Sequence, residues 1–352
     1  MFISVVIPVF NAEDYLKDTV ESVLSQSFRD FEVILVDDCS TDKSGGLCDI
    51  LAAYDSRITS VRLSENRGVS NARDVGAANA AGEYLFFFDA DDLIEKDAFR
   101  TIFDEMGDNR PDAVIFGVTE DYFDRDSSLK TSFVANFGKT VYLNQSKFRK
   151  EIINLERRTL FGYACNKFYN LAYFRKLNIR YPVAELNEDF LFNVEFFRDA
   201  DSVLVLNNAF YHYNKRFDGS RTGRFVADYY PLHLNRIELL IELYESWNLL
   251  SFEIAEIIAG IYLRYTLSYL QRNCDRAAGL NHAKRRKLLK DIYNSHFYKK
   301  LINHVNAESF YTRAAAFFLK HRLTPMTLTL ARIIYIVKER LPFLFLKLKQ
   351  NR

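Results

Sequence analysis

The sequence predicts a doubly wound α/β sheet with a site along one rim, followed by an all-helical C-terminal extension. Three observations predict it. In the N-terminal third, β-branched apolar runs alternate with segments of helical periodicity, which implies parallel crossovers. The run Tyr84-Leu85-Phe86-Phe87-Phe88 is apolar and aromatic throughout, as a strand buried on both faces is, and it stops at Asp89, Asp91 and Asp92. From about Val226 onward the apolar residues recur at helical spacing.

The elements follow in order. Ile3-Ser4-Val5-Val6-Ile7 is a β-branched strand closed by Pro8 and Val9. Asn11 then stands where a helix cap belongs, with Asp14 at the reciprocal capping position. Tyr15, Leu16, Val20, Val23 and Leu24 give that helix one apolar face. The second strand, Phe31 to Val36, ends at Asp37-Asp38. A helix over about 43–54 leads to a strand at Ile58–Leu63, and Asn66-Arg67-Gly68 makes a turn. The small residues from Ser70 to Ala81 suit a helix packed closely on a sheet, and Tyr84–Phe88 is the fourth strand. Ligands of such sheets bind at the carboxyl ends of the strands. Those ends carry Pro8-Val9-Phe10, Asp37-Asp38, Asn66 and Asp89-Ala90-Asp91, so four strand ends turn polar or conformationally special at one rim. Carboxylates this close repel unless a cation neutralises them, and a hard divalent ion with oxygen ligands is the natural partner. No Gly-x-Gly-x-x-Gly follows the first strand, and no Gly-x-x-x-x-Gly-Lys-Ser/Thr occurs anywhere. A phosphate bound here is therefore held by metal and basic side chains instead.

The composition frames this reading. The chain has 352 residues, 49% hydrophobic and 26% charged, as a folded globular protein has, and its net charge of +1 argues against a protein built wholly around nucleic acid. Its 31 Phe and 21 Tyr suit large cores, sugar-stacking surfaces or membrane contact, without choosing among them. The 4 Cys form no Cys-x-x-Cys pair, so reduced thiols are expected. The chain opens directly on a strand with no secretory signal, and no stretch reaches the roughly 18 apolar residues of a membrane span, so a cytoplasmic location is expected.

Five motifs in sequence resemble those of bacterial family 2 glycosyltransferases with the GT-A fold (a Rossmann-like, mostly parallel sheet with flanking helices), of the kind that build capsule, O-antigen or exopolysaccharide. They are Val6-Ile7-Pro8-Val9-Phe10-Asn11, Val36-Asp37-Asp38-Cys39-Ser40-Thr41-Asp42, Asn66 through Gly76, Phe88-Asp89-Ala90-Asp91-Asp92 and Asn187-Glu188-Asp189. The resemblance implies a catalytic domain over 1–224, with a nucleotide-sugar half (1–110) and an acceptor half (111–224), and a helical region over 225–352. It implies that Asp38 hydrogen-bonds the base, normally uracil, with Pro8, Phe10, Asn66, Arg73 and Ala90 beside the nucleotide. Asp89 would reach the ribose or a metal-bound water, Asp91 would ligate Mn²⁺ or Mg²⁺, and Asp92 would lie nearby or cap a helix beginning near Glu95. Glu188 and Asp189 open an apolar helix, where a carboxylate also complements the helix dipole. In the family the second acid of this pair is the catalytic base, which assigns that role to Asp189. Lys167, within Cys165-Asn166-Lys167-Phe168-Tyr169, would lie near the acceptor cleft. Tyr211 to Arg216, with Ser220-Arg221-Thr222, resembles a loop closing over the donor, in which Arg216 or Arg221 pairs with diphosphate. His212 reads as a packed strand residue.

The implied reaction is inverting transfer of a hexose or N-acetylhexosamine from a UDP-sugar to a glycan or lipid-linked acceptor. A sugar-nucleotidyltransferase is the first alternative, but the connection Pro8-Val9-Phe10-Asn11-Ala12-Glu13 lacks the Gly-rich, basic phosphate loop of those enzymes. A non-catalytic sugar-nucleotide-binding protein is the second, but Asp91 and Asp189 are both present. From Lys284 onward cations heavily outnumber the acids Asp291, Glu308 and Glu339. The mixed segment Leu328 to Lys349, broken at Pro342, suits an anionic membrane surface or a packed bundle with a homodimer contact.

Overall fold

The computed structural model describes residues 1–124, 126–184, 186–216, 226, 228–307, 309–341 and 345. Arg221 and Pro342 lie outside these residues. The chain divides into two compact units, Met1–Asp218 and Gly219–Arg352.

The first unit begins with the expected alternation: β1 (Ile3–Val9), α1 (Leu16–Leu24), β2 (Phe31–Asp37), α2 (Ser44–Tyr54), β3 (Ile58–Arg62), α3 (Val69–Asn79) and β4 (Tyr84–Phe87). It continues with β5 (Leu93–Ile94), α4 (Ala98–Met106), β6 (Ala113–Phe123), β7 (Leu129–Ala135), β8 (Val141–Asn144) and α5 (Gln145–Arg157). The last elements are β9 (Lys167–Asn170), α6 (Leu171–Leu177), α7 (Glu188–Phe197) and β10 (Ser202–Arg216). These strands form one sheet of order β3-β2-β1-β4-β9-β6-β10-β5, with β7 added to β6 and β8 to β10. β1 pairs in parallel with β2 and β4, and β2 with β3, so four parallel strands turn their carboxyl ends to one rim, with Val9 level with Asp37 and Phe87 level with Val6. Beyond β4 the sheet turns mixed: β9 is antiparallel to β4 and β6, while β10 runs parallel to β6.

Part of the aromatic content fills the core around β4, β6 and β9. Phe86, Phe99, Phe116 and Phe168 are fully buried and touch edge to face or tilted, with Phe86 and Phe168 centroids 5.0 Å apart. Such pairs add about 0.5–1.5 kcal/mol each beyond their buried area. Close packing of α3 on the sheet depends on Gly76, where an added Cβ would meet Val6 Cγ1 at 2.1 Å.

Two local expectations fail. Asn11 does not cap α1, which starts at Leu16 behind an uncapped Tyr15. Asn11 instead takes the left-handed conformation (φ 51°), and its Oδ1 accepts from the Thr41 N–H at 2.8 Å, tying the β1 rim to the β2 rim. Asx residues tolerate this backbone region better than most. Asp92 does not cap a helix either: α4 begins only at Ala98.

The regular elements among the described residues of the second unit are helices: α8 (Tyr229–Ser246), α9 (Phe252–Arg272), α10 (His282–Asn294), α11 (His296–Leu301), α12 (Phe310–Lys320) and α13 (Thr324–Arg340). Its core gathers Ile237, Leu240 and Tyr244 of α8, Ile258, Tyr262 and Leu270 of α9, and Leu289 of α10. No described helix is long and apolar enough to cross a membrane.

Candidate active site

The site grows from the carboxyl ends of β1, β2 and β4. Asp38 follows β2 and is buried; its two oxygens accept from the Arg67 and Gly68 backbone N–H groups at 2.9 and 2.8 Å. It thereby serves the N-terminus of α3, whose own cap residue, Gly68, offers no side chain. Each carboxylate oxygen keeps a second lone pair for a ligand. Pro8 is half-buried in β1, Phe10 is exposed just past it, and Asn66 is exposed on the turn held by Asp38.

Past β4, the three acids take three different environments. Asp89 is half-buried and accepts from Arg73 Nη2 at 3.0 Å. Ala90 is buried, and the Thr19 hydroxyl lies 2.9 Å from its carbonyl and 3.0 Å from that of Asp92, fixing the turn. Asp91 points outward with 47% of its side chain exposed. Arg216, at the end of β10, holds Asp91 Oδ2 and its carbonyl at 3.3 Å, with its guanidinium 3.9 Å from the Tyr15 ring. Burial of its inner side and the neighbouring Asp89 push the Asp91 carboxyl up to about 6, against the pull of Arg216. Asp92 is fully buried: Tyr211 Oη donates to it at 2.6 Å and the Asn214 N–H at 2.8 Å. Its role is to pin β10 to this turn, and burial, followed by the Asp91 and Asp89 charges, holds its carboxyl well above the usual range.

Arg73 of α3 joins this cluster to the second one. It is 3% exposed; Nη1 donates to Asp189 Oδ1 at 2.6 Å while Nη2 serves Asp89, and Tyr181 lies under the guanidinium at 4.9 Å. The planar fork gives each carboxylate its own nitrogen in a fixed geometry, where a lysine would offer a single point charge. Asp189 and Glu188 sit in the first turn of α7, where the helix dipole favours them. Burial nevertheless raises both carboxyls, Arg73 opposing it at each.

Lys167 lies close enough to Asp189 for its charge to oppose the rise of that carboxyl. It is fully buried, and its three donors meet the carbonyls of Leu160 and Tyr163 and Asn166 Oδ1, so it fixes the 160–163 segment. Asn193 of α7 bonds the Phe161 and Tyr163 carbonyls, so this buried scaffold supports the helix that carries Asp189. Residues 211–216 are not a loop but the end of β10. His212 there lies between Asp121 Oδ2 (2.7 Å) and Glu95 Oε1 (2.9 Å).

The sequence reading missed Tyr181 and the bond of Tyr211 to Asp92. A tyrosine directly after Ala209-Phe210 in a strand was the available signal for Tyr211, because a buried hydroxyl needs an acceptor. Among the described residues no three His, Cys, Asp or Glu groups converge as a protein-only metal cage. The outward carboxylate of Asp91 beside Asp89 fits instead an ion whose remaining oxygens come from a ligand and water.

Comparison with known proteins bears on what such a rim does. The profile of the family described as Glycosyl transferase family 2 matches residues 4–177, from β1 through α6. The chain carries a family 2 glycosyltransferase domain. It is 30% identical over 220 residues to Glycosyltransferase GlyA of Streptococcus pneumoniae, covering 61% of this chain and 30% of that protein. It is 28% identical over 214 residues to Uncharacterized glycosyltransferase EpsJ of Bacillus subtilis, covering 60% of this chain and 61% of that one. Over 255 residues it is 27% identical to Poly(ribitol-phosphate) beta-N-acetylglucosaminyltransferase TarS of Staphylococcus aureus, covering 68% of this chain and 41% of TarS. The chain thus spans less than two thirds of each of these relatives. The crystal structure of S. aureus TarS residues 1–349 superposes with a TM-score of 0.60 at 19% identity, over 94% of this chain and 90% of that one. The same fragment in complex with UDP-GlcNAc superposes at 0.56. The family 2 domain here therefore has the GT-A fold, with a helical region after it.

Proposed function

We propose that this chain is an inverting glycosyltransferase that moves a hexose or N-acetylhexosamine from a UDP-sugar to a hydroxyl of a glycan or lipid-linked oligosaccharide in surface polysaccharide synthesis. The observation that carries this reading is the network Asp89–Arg73–Asp189, which ties the nucleotide-side acids to a carboxylate on the acceptor side. The family membership and the UDP-GlcNAc complex of TarS support the donor class.

In this reading Asp189 is the general base. Arg73 holds one of its oxygens, and burial raises its basicity above that of an ordinary aspartate. The acceptor hydroxyl gives its proton to Asp189 as its oxygen bonds the anomeric carbon. The bond from that carbon to the nucleoside diphosphate breaks on the opposite face, which inverts the centre. Asp38, Pro8, Phe10, Asn66 and Ala90 line the nucleotide side. Asp91, with Asp89, would hold Mn²⁺ or Mg²⁺, whose charge when bound offsets that developing on the departing diphosphate. Arg216 adds a cation at the same rim. The basic C-terminal helices attach the enzyme peripherally to the inner face of the cell membrane, where a lipid-linked acceptor would be met.

The test is release of UDP from UDP-sugars with acceptor, in Mn²⁺ and in EDTA. Transfer is expected only with metal, and Asp189→Asn is expected to abolish it while UDP still binds by calorimetry. A fully active Asp189→Asn enzyme removes the assignment, and pyrophosphate as the product points to nucleotidyl transfer instead.

A further inference from the structure

We infer that the outward faces of α12 and α13 together form a surface that seats on an anionic lipid bilayer. The inference rests on the peripheral attachment proposed above and locates it. In α12 the inward side is marked by Ala315 and Leu319, both buried. The opposite side, at spacings of three and four, carries Phe310, Arg313, Phe317 and Lys320. Phe310 is 83% exposed and Phe317 55%. In α13 the inward side holds Thr327 and Ala331. The outward side carries Met326 and Ile333, each 52% exposed, with Ile336 and Arg340 on the same stripe.

α12 and α13 pack against each other and both lie on α9, so their outward sides face away from that helix together. A soluble helix normally turns such residues inward; here large apolar side chains point out, interleaved with cations. Over the two helices Arg313, Lys320, Arg332, Lys338 and Arg340 meet a single carboxylate, Glu339. Apolar side chains that enter the acyl boundary, set among cations at headgroup level, suit an anionic membrane. A self-associating face would require those like charges to approach each other. Ile334 and Val337 are half-buried and lie off this stripe.

The experiment uses the full chain and co-sedimentation with vesicles of phosphatidylcholine alone or mixed with phosphatidylglycerol. Wild type is expected to bind only the anionic vesicles, and to be released at about 0.5 M salt, where screening is short-ranged. Phe317→Ser with Ile333→Ser, and separately Arg313→Glu with Arg332→Glu, are each expected to weaken binding about tenfold or more. UDP binding, unchanged in both, reports that the chain is folded. If wild type binds and both variants bind equally well, this face is wrong while membrane attachment stands. If wild type does not bind, attachment itself falls, and with it this inference. If the serine pair abolishes a concentration-dependent dimer and leaves vesicle binding intact, the face belongs to a second copy and the inference is overturned.

Discussion

At the scale of single residues, three adjacent acids divide the work by burial. Asp92 gives both oxygens to β10 and builds the turn. Asp89 is taken by Arg73. Only Asp91 faces out, with its carboxyl raised to about 6 and Arg216 as its counter-charge. An exposed aspartate titrates near 3.9, so it stays charged down to about pH 4. Here the charge is lost as pH falls through about 6. Mn²⁺-dependent UDP binding is therefore expected to weaken below that pH, and Asp91→Asn to remove the metal-dependent part at every pH, as calorimetry with and without Mn²⁺ would read. The stability sign is the reverse of the common carboxylate case. A raised carboxyl holds its proton in the fold, so its contribution is present at low pH and is lost as pH rises through about 6.

At the scale of elements, the site depends on how α3, β10 and α7 meet the sheet. Gly76 lets α3 approach β1, and α3 delivers Arg73. Gly76→Ala is expected to cost about 1–3 kcal/mol by overpacking against Val6, read as a lower denaturant midpoint, with Val6→Ala recovering part of it. β10 is tied to the strands beside it by His212, whose two ring nitrogens both face carboxylates. That geometry is satisfied in full only by the imidazolium. Burial opposes the charge, but Glu95 and Asp121 outweigh it and raise the histidine above its ordinary value. Its contribution to stability is therefore complete at low pH and is lost as pH rises through that raised value. Thermal melts from about pH 6 to 9 should show a decline in wild type that His212→Gln flattens.

At the scale of the whole molecule, Met1–Asp218 and Gly219–Arg352 each carry a core of their own. The first unit holds every described residue of the candidate site. A fragment of residues 1–218 is expected to melt cooperatively and to bind UDP, measured by circular dichroism and calorimetry; a fragment that aggregates or ignores UDP would show that the first unit is not sufficient.

The sequence by itself determined the order of strands and helices as far as β4, the rim at which polar residues gather, and the helical character of the last third. Those features are local: periodicity and strand-terminal chemistry are written in neighbouring residues. It also marked Asp38, Asp89, Asp91 and Asp189 as residues of one site, through motifs. Only the tertiary structure decided which partners and how much burial each has. Asp92 and Lys167 look like reactive groups in one dimension but are consumed by partners distant in sequence, Tyr211 and Asn214 for the acid and the 160–163 carbonyls for the lysine. Asn11 looks like a cap along the chain, where its acceptor role toward Thr41 is invisible. The bridge from Asp89 through Arg73 to Asp189 joins residues more than a hundred positions apart. Burial, which fixes both the partners and the proton affinity of these groups, exists only once the sheet has closed around them.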